Sequence, residues 1–578
     1  MLSRVQHDKR AINGHTGNQL LDKLWLKSYS PGVPAEVPPP PYRSLLELFE
    51  RAFEDFPDRP AFTNMGATLT YRQIDSLSTQ FACYLQGSLG LVRGERVAIM
   101  LPNILQFPVA MCGVFRAGLV AVNVNPLYTS RELEFQLRDS GAKCIVILEN
   151  FAHTLSDVVE NTSVSHVITT GIGDLLNWPK GPFVNFFLRH VKRSVPAYSL
   201  PDCASLHQAL RTGARQTLKP VEIGYADIAF LQYTGGTTGV AKGAMLSHRN
   251  MVYNVAQTVV WQQDAYDGLD SIIAITALPL YHIFSLEGNC LTVMAQGGLN
   301  VLITDPRDLK GFVRELARHR FNLFTGVNTM FAALLNADGF ADVDFSSLRV
   351  CVGGGMAVQP AVARDWKRIT GTTILQGYGL SETSPVVIVC PLNSDFTGSI
   401  GLPVPSTDVS ICDDDGTALP VGDIGEICIK GPQVMEGYWH RPDETEKVML
   451  PGGWLRTGDI GRMDENGFVY IEDRKKDMIL VSGFNVYPNE IENVVVEMDG
   501  ILEAAALGIP DETSGEAVKL YAVRTDPGVS KQDVMDYCRA NLTNYKRPKS
   551  VEFRDDLPKT NVGKILRRAL RDNPATSD

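Results

Sequence analysis

The sequence predicts an α/β protein. Its large amino-terminal domain contains two doubly wound α/β subdomains and a small β subdomain, and a small α+β domain follows. The first observation is length, because 578 residues exceed what one hydrophobic core supports. The second is a repeated alternation of short apolar strands with helical patterns, which is typical of parallel sheets. The third is a change after Pro385 to β-rich runs joined by hairpin turns.

Composition narrows the class of protein. Hydrophobic residues make up 44% and charged residues 21%, as in an ordinary soluble globular protein. The net charge of −11 argues against general nucleic-acid affinity. Ten cysteines without a Cys-x-x-Cys pair indicate buried thiols in a reducing compartment and no zinc site.

The amino terminus and the hydropathy pattern bear on location. The first residues lack the apolar stretch of a signal peptide, and no segment reaches the roughly 18 apolar residues of a membrane span. We therefore expect a cytoplasmic protein, or one peripheral to the inner face of the cell membrane.

The amino-terminal elements begin after a polar tail and a proline-rich arm, residues 1–43. Ser44 and Glu47 form a capping-box pattern that opens a helix through Phe53. Strands and helices then alternate, which predicts the first parallel sheet. The predicted strands are 96–101, 120–124 and 144–148, and the predicted helices are 107–117 and 131–139.

The remaining elements complete the predicted order. Residues 274–304 and 322–355 repeat the α/β rhythm, and turns at 413–416 and 464–467 mark the β subdomain. The α+β domain has predicted strands 504–508 and 518–523 and predicted helices 488–497 and 531–542. The charged run 473–477 is ordinarily a solvated turn. Because this run lies between the β subdomain and the α+β domain, we hypothesise that it is a hinge. The predicted domains are 44–473 and 478–578, joined by 474–477.

A glycine- and threonine-rich loop, residues 233–243, is the first chemical motif. Glycines allow backbone N–H groups to surround an anion, the threonines add hydroxyls, and Lys242 adds positive charge. These groups suit a polyphosphate. Gly243 follows Lys242, so the loop is not a Walker A motif. A glycine-rich surface turn is the alternative.

Two glycine turns follow predicted strands farther along the chain. One is Gly353 to Gly355, and the other is 377–383. Such turns occur where α/β sheets bind ligands. Tyr378 offers an aromatic face to a base, Glu382 an oxygen ligand for Mg²⁺, and Thr383 a hydroxyl for a phosphate.

Two charged residues lie outside these turns. Asp459 follows a glycine, and its carboxylate suits the two hydroxyls of a ribose. A simple turn aspartate is the alternative. Lys564 follows a glycine near the carboxyl terminus, and an ammonium there can neutralise a carboxylate and a phosphate as they approach. An exposed basic helix start is the alternative.

The order of these blocks resembles the AMP-forming adenylating enzymes, from about Ser44 to Arg568. This family includes acyl-CoA and aryl-CoA synthetases, luciferases and nonribosomal-peptide adenylation domains. Residues 279–284, 353–356 and 473–492 are most similar to bacterial long-chain fatty-acyl-CoA synthetases.

The resemblance implies roles for individual residues. It places the β- and γ-phosphates at Thr234, Gly235, Gly236, Thr237, Thr238, Gly239 and Lys242. It places adenine at Gly353, Gly354, Gly355, Gly377, Tyr378 and Gly379. Ribose is implied at Asp459 and Arg474, Mg²⁺ at Glu382, and the α-phosphate at Thr383. Lys476 is implied as the hinge of a mobile carboxyl-terminal domain, Gly483 as part of the CoA tunnel, Lys564 as the adenylation lysine, and His282 as the acyl-pocket entrance.

The implied reaction joins a long-chain fatty acid to CoA with ATP and Mg²⁺, feeding fatty-acid degradation. Alternatives are a fatty-acyl-AMP ligase or carrier-protein loader, a medium-chain acyl-CoA synthetase, a luciferase-like oxygenase and a non-catalytic nucleotide-binding protein. A homodimer is compatible with the sequence, which does not set the oligomeric state. Arg456 stands where many members have His, a change we expect to be tolerated. Leu286 stands where some fatty-acid members carry a gating Trp, so the gate and chain-length control stay open.

One segment, 183–193, combines apolar and basic residues. It is suited to an anionic lipid surface. A helix packed on the protein with its basic side solvated is the alternative.

Overall fold

The computed structural model describes residues 23–200, 203–234, 241–482, 484–511, 513–560 and 565–572. The elements of the amino-terminal part are α1 (Leu45–Asp55), β1 (Pro60–Asn64), β2 (Ala67–Thr70), α2 (Tyr71–Cys83), β3 (Arg96–Met100), α3 (Gln106–Arg116), β4 (Val120–Asn123), α4 (Ser130–Ser140), β5 (Cys144–Leu148), α5 (Ala152–Ser156), β6 (His166–Thr170), α6 (Lys180–Phe186), β7 (Cys203–Ser205), α7 (Leu206–Gly213), β8 (Ile228–Thr234) and β9 (Lys242–Ser247).

The middle of the chain continues the α/β alternation. Its elements are α8 (His248–Gln262), β10 (Ile273–Thr276), α9 (Ile283–Ser285), α10 (Thr292–Ala295), β11 (Leu299–Leu302), α11 (Leu309–Leu316), β12 (Leu323–Gly326), α12 (Asn328–Leu335), β13 (Val350–Gly354), α13 (Pro360–Thr370), β14 (Ile374–Gly379), β15 (Val386–Val389) and β16 (Leu402–Pro403).

The rest of the chain is richer in strands. Its elements are β17 (Asp408–Cys412), β18 (Gly425–Lys430), α14 (Pro442–Val448), β19 (Met449–Leu450), β20 (Trp454–Met463), β21 (Val469–Arg474), β22 (Ile479–Val481), β23 (Phe484–Val486), α15 (Pro488–Val496), β24 (Ile501–Asp511), β25 (Gly515–Arg524), α16 (Lys531–Asn541), β26 (Ser550–Phe553) and α17 (Arg567–Asp572). Wider π-helical turns cover Tyr84–Ser88, Phe187–Val191 and Leu286–Leu291.

Two large sheets confirm the predicted α/β architecture. The first has the order β7-β6-β5-β3-β4-β8-β9, with every neighbouring pair parallel except β8 and β9. The second has the order β16-β15-β14-β13-β12-β10-β11-β1-β2 and is parallel from β14 to β1. The strands β1 and β2 were not predicted, and they join the second sheet although they precede the first in sequence.

The smaller units also match the prediction. The β subdomain pairs β17-β18-β20-β19 with β21 on β20, all antiparallel. The carboxyl-terminal sheet has the order β23-β22-β25-β24, with β26 parallel to β25, and α15 and α16 pack together beside it. Hence the carboxyl-terminal unit is α+β.

Local signals explain where several helices begin. Ser44 caps α1 by accepting a hydrogen bond from the Glu47 N–H at 3.1 Å. The Glu47 carboxylate returns to the N–H of Arg43 rather than to that of Ser44, so the box is shifted by one residue. Ser247 and Asn250 form a full capping box at α8. The strand β9, which the sequence did not predict, ends at this cap.

Two sequence expectations concern cysteines and membranes. All ten cysteines are free thiols, and all except Cys203 are buried. Within the described ranges, the helices are too short or too polar to cross a bilayer.

Candidate active site

One cavity of about 2550 Å³ lies where the subdomains and the carboxyl-terminal domain meet. Its wall includes residues from both large sheets, from the β subdomain and from the carboxyl-terminal domain. Members of the wall that the sequence singled out are Thr234, Lys242, His282, Gly354, Gly355, Gly377, Tyr378, Gly379, Glu382, Asp459, Arg474 and Lys476. The fold therefore brings together residues that are more than two hundred positions apart in sequence.

The predicted phosphate loop joins the antiparallel strands β8 and β9. Thr234 and Lys242 are direct cross-strand partners at its two ends. Gly235, Gly236, Thr237, Thr238 and Gly239 lie outside the described residues, so their phosphate contacts stay predictions. The flanking pair fixes where the loop leaves and re-enters the sheet.

Lys242 is held by charge at the base of this loop. Its Nζ forms an ion pair with Glu444 of α14, which also binds Lys447. The two ammonium groups lower the pKa of Glu444 to about 2, so this carboxyl is ionised at neutral pH. The Lys242 Nζ also lies 5.1 Å from the centroid of the Tyr438 ring.

The two glycine turns are neighbours at the carboxyl ends of parallel strands. Gly354 of β13 pairs in register with Gly377 of β14. A Cβ on Gly354 would lie 3.0 Å from the Phe284 ring, and one on Gly379 would lie 1.9 Å from the Pro385 carbonyl. A side chain is therefore excluded at Gly379, whereas one at Gly354 would require the Phe284 ring to move. Gly353 is buried in the strand and sits behind the cavity wall.

Tyr378, Asp459 and Arg474 form one polar cluster. The Tyr378 hydroxyl donates to Asp459 Oδ2 at 2.7 Å, and Arg474 Nε lies 3.3 Å from Asp459 Oδ1. Asp459 and Arg474 face each other as cross-strand partners of β20 and β21. Burial, with the Asp459 charge next, raises the pKa of Tyr378, which keeps its hydroxyl a donor. Tyr378 is half-buried and lines the cavity, and its contact with adenine stays a prediction.

Glu382 and Thr383 share a short turn but face different ways. Glu382 Oε1 accepts a hydrogen bond from the Tyr438 hydroxyl at 2.7 Å. The Thr383 side chain is buried and donates to the carbonyls of Leu380 and Pro385 at 3.1 and 2.6 Å. In this structure Thr383 holds the turn, and its contact with the α-phosphate stays a prediction.

Glu382 is the candidate metal ligand. Across the described ranges, no three His, Cys, Asp or Glu side chains are grouped to hold a metal ion. A single cavity-facing carboxylate fits a Mg²⁺ ion that takes its other ligands from phosphates and water. The donor set of this site is therefore compatible with a metal carried by a nucleotide.

The predicted acyl-pocket entrance contains an aromatic side chain whose place in the cavity wall the sequence did not indicate. His282 begins α9 and accepts a hydrogen bond from the Phe284 N–H at Nδ1, 3.3 Å away. Leu286 is fully buried in the core, whereas Phe284 and Gly288 line the cavity. Phe284 therefore contributes an aromatic ring to this wall. It ends the stretch 279–284 that carries the family resemblance, but only the packing shows that it lines the cavity.

The predicted hinge connects β21 to β22, and Lys476 is exposed within it. Asp473 is buried and accepts from the N–H groups of Asn489 and Arg474 at 2.7 and 2.6 Å. Burial raises the pKa of Asp473 to about 6. Arg567 lies 2.8 Å from Glu492 and 3.4 Å from Asp477, which ties the end of the chain to this junction.

Two predicted residues of the carboxyl-terminal domain cannot be placed. Gly483 and Lys564 lie outside the described residues, so the tunnel and the adenylation lysine stay predictions. Residues on both sides of Lys564 do line the cavity, namely Lys559, Thr560, Ile565, Leu566, Arg567 and Arg568.

Other site residues were missed for lack of a sequence signal. Tyr438 and Glu444 lie in a stretch with no motif, yet they contact Glu382 and Lys242. Arg456, the departure from His, lies 3.4 Å from Glu426, whose carboxylate also accepts from the Gly458 N–H at 3.0 Å.

Comparison with known proteins gives the same organisation. Residues 49–439 match the model of the AMP-binding enzyme family, and residues 490–564 match that of the AMP-binding enzyme C-terminal domain. The long-chain-fatty-acid–CoA ligase of Salmonella typhimurium is 56% identical over 96% of this chain and 98% of its own length. The enzyme of that name from Bacillus subtilis is 36% identical over 95% and 97%.

Solved structures agree with the fold. ATP-bound MatB from Rhodopseudomonas palustris matches with a TM-score of 0.77 at 28% identity, covering 91% of this chain and 98% of its own. The anthranilate CoA ligase AuaEII in complex with anthranoyl-AMP matches with a TM-score of 0.79 at 26% identity, covering 92% and 97%.

Proposed function

The chain belongs to the AMP-binding enzyme family, and we propose that it is an AMP-forming long-chain fatty acid–CoA ligase. The observation that carries the proposal is the 56% identity to a long-chain-fatty-acid–CoA ligase over almost the whole of both chains. The cavity supports it, because Lys242, Glu382, Asp459 and Arg474 all line it.

In the first half-reaction, a carboxylate oxygen of the fatty acid attacks the α-phosphorus of ATP. The new O–P bond gives acyl-adenylate as the bond to pyrophosphate breaks. We propose that Lys242 binds the leaving phosphates and that Asp459 and Arg474 hold the ribose. Bound Mg²⁺ would neutralise phosphate charge beside Glu382. Catalysis of this kind is mainly positioning and charge stabilisation.

In the second half-reaction, the CoA thiolate attacks the acyl carbonyl carbon. A C–S bond forms, the C–O bond to the phosphate breaks, and AMP leaves. We propose that the small domain turns about Lys476 between the two steps. The rotation would move Lys564 away from the cavity and bring the CoA tunnel at Gly483 to it. Residues on both sides of Lys564 line the cavity, which supports an orientation of the small domain that serves the first half-reaction.

Pyrophosphate release measured with and without CoA tests this function. A CoA ligase turns over continuously only with CoA and yields acyl-CoA and AMP. A fatty-acyl-AMP ligase or carrier-protein loader releases pyrophosphate without making acyl-CoA, and a non-catalytic binder releases none. Light emission with oxygen would indicate luciferase-like chemistry.

A panel of acids tests the substrate class. We expect palmitate and oleate to be used better than octanoate, and octanoate better than acetate or benzoate. Equal or faster turnover of acetate or benzoate would contradict the long-chain assignment, and an optimum at octanoate would favour the medium-chain alternative.

We further propose that the protein binds an anionic membrane surface, where its substrate partitions. The segment around α6 supports this proposal. Phe183, Phe186 and Val191 are 66%, 58% and 60% exposed, and Trp178 beside them is 86% exposed. An apolar patch of this kind is unusual on a soluble monomer without a partner.

The inner side of the same segment is already packed. Gly181 is buried, and a Cβ on it would lie 2.4 Å from the Gly173 carbonyl. Arg189, Lys192 and Arg193 are all exposed, and Arg189 is paired with Glu149. The segment therefore packs through one side and presents aromatic rings and two cations outward, which suits anionic lipid.

A further inference from the structure

Tyr438 lies between the two charged groups of the phosphate end of the site. It is 8% exposed and forms an antiparallel bridge with Ala244 of β9. The neighbouring backbone is bonded to the same strand, from Met245 N–H to the Gly437 carbonyl at 2.9 Å and from Trp439 N–H to the Gly243 carbonyl at 2.8 Å. The tyrosine is therefore fixed against the strand that begins at Lys242.

The hydroxyl of Tyr438 is hydrogen-bonded to Glu382. It donates to Oε1 at 2.7 Å, and the Met435 N–H donates to the Glu382 backbone carbonyl at 2.8 Å. Glu382 is thus fixed at its carbonyl and at one carboxylate oxygen.

The ring of Tyr438 contacts the ammonium of Lys242. The ammonium lies 5.1 Å from the ring centroid and takes its ion pair from Glu444 rather than from Glu382. One side chain therefore contacts a carboxylate through its hydroxyl and an ammonium through its ring. Tyr438 therefore lies between Glu382 and Lys242, and the ion pair of Lys242 is with Glu444.

We propose that Tyr438 is a positioning residue of the nucleotide site: its hydroxyl orients Glu382 toward the divalent cation of a metal–nucleoside triphosphate while its ring supports Lys242 at the phosphates. The inference rests on the proposed function, because it assumes that this cavity binds ATP with a metal. Hydrogen-bond partners of metal ligands commonly contribute about 10- to 100-fold to metal affinity.

The test removes the hydroxyl and keeps the ring. In Tyr438→Phe, we expect Mn²⁺ to bind about 10-fold more weakly or worse in the presence of a non-hydrolysable ATP analogue, measured by electron paramagnetic resonance. AMP binding without metal should stay within about twofold, because Tyr378 and Asp459 are untouched. Tyr470→Phe is the matched control, since its hydroxyl donates to the hairpin residue Asp464, at 3.4 Å.

A double-mutant cycle removes the remaining ambiguity. If Tyr438 acts through Glu382, Tyr438→Phe should weaken Mn²⁺ binding no further in a Glu382→Gln background. Unchanged Mn²⁺ affinity in Tyr438→Phe, additive effects, or an equal loss of AMP affinity would each overturn the proposal. If wild-type protein binds Mn²⁺ with the analogue but makes no acyl-CoA, the proposed function is contradicted. The Mn²⁺ affinities of wild type and Tyr438→Phe would still decide whether Tyr438 positions Glu382.

Discussion

Glu287 shows at the scale of one residue how burial sets charge beside the cavity. It is fully buried in the π-helical turn Leu286–Leu291, and Thr292 donates to its Oε1 at 3.0 Å. Burial raises its pKa from 4.5 to about 8, so the carboxyl is largely neutral at pH 7. The sequence places this acid next to Gly288 but gives no sign of its protonation state.

The raised pKa makes a prediction about stability. The unfolded chain releases this proton near pH 4.5 and the folded protein near pH 8, so the contribution of Glu287 is complete below pH 4.5 and is lost as pH rises to 8. The loss is about 1.4 kcal/mol per pH unit at most. We expect Glu287→Gln to remove this dependence while keeping an acceptor for Thr292.

Thermal unfolding from pH 5 to 9 measures the effect. The melting temperature of Glu287→Gln should rise relative to wild type as pH increases to 8 and then level off. The exposed Glu446→Gln is the control and should follow wild type throughout. A constant difference between Glu287→Gln and wild type at every pH would contradict the neutral buried acid.

At the scale of elements, local patterns predicted some features and missed others. The strand Cys144–Leu148 was predicted because a short run of apolar residues is a local signal. The hairpin turns were predicted because Asp-Gly and Asn-Gly pairs are local signals too. The pairing of β1 with β11, which sets Phe62 beside Asn300, was not, because no local pattern encodes a partner so far along the chain. For the same reason the sequence did not predict that Tyr438 contacts Glu382 or that Phe284 lines the cavity.

The segment around α6 gives the prediction at this scale. We expect the protein to sediment with vesicles containing phosphatidylserine and less with neutral vesicles. Lys192→Glu with Arg193→Glu should weaken binding at least about tenfold, since each basic residue near an anionic surface contributes about 1 kcal/mol. Arg189 is left unchanged because it is paired with Glu149.

A second variant separates the apolar contribution. Phe183→Ser with Phe186→Ser should also reduce sedimentation, and it should do so at high salt as well. Val92→Ser, which changes an equally exposed apolar residue elsewhere, is the control. Binding that is unaffected by both double variants would exclude this segment as the membrane contact.

At the scale of the whole molecule, the cavity depends on two domains meeting. At the junction, Asp473 accepts a hydrogen bond from the Asn489 N–H. Arg567, near the end of the chain, forms ion pairs with Asp477 and Glu492. A rotation of the small domain must break some of these contacts and leave the Tyr378–Asp459–Arg474 cluster in place. The two half-reactions should therefore respond differently to changes on the small domain.

The most direct test measures the two half-reactions separately in Lys564→Ala and Gly483→Leu. Losing one charged, preorganised donor typically costs on the order of 10²–10³ in rate. Lys564→Ala should therefore nearly abolish acyl-adenylate formation yet still convert supplied acyl-adenylate to acyl-CoA. Gly483→Leu should form acyl-adenylate but fail to transfer it to CoA. Equal loss of both half-reactions in both variants, with both still folded, would contradict the proposed ligase mechanism.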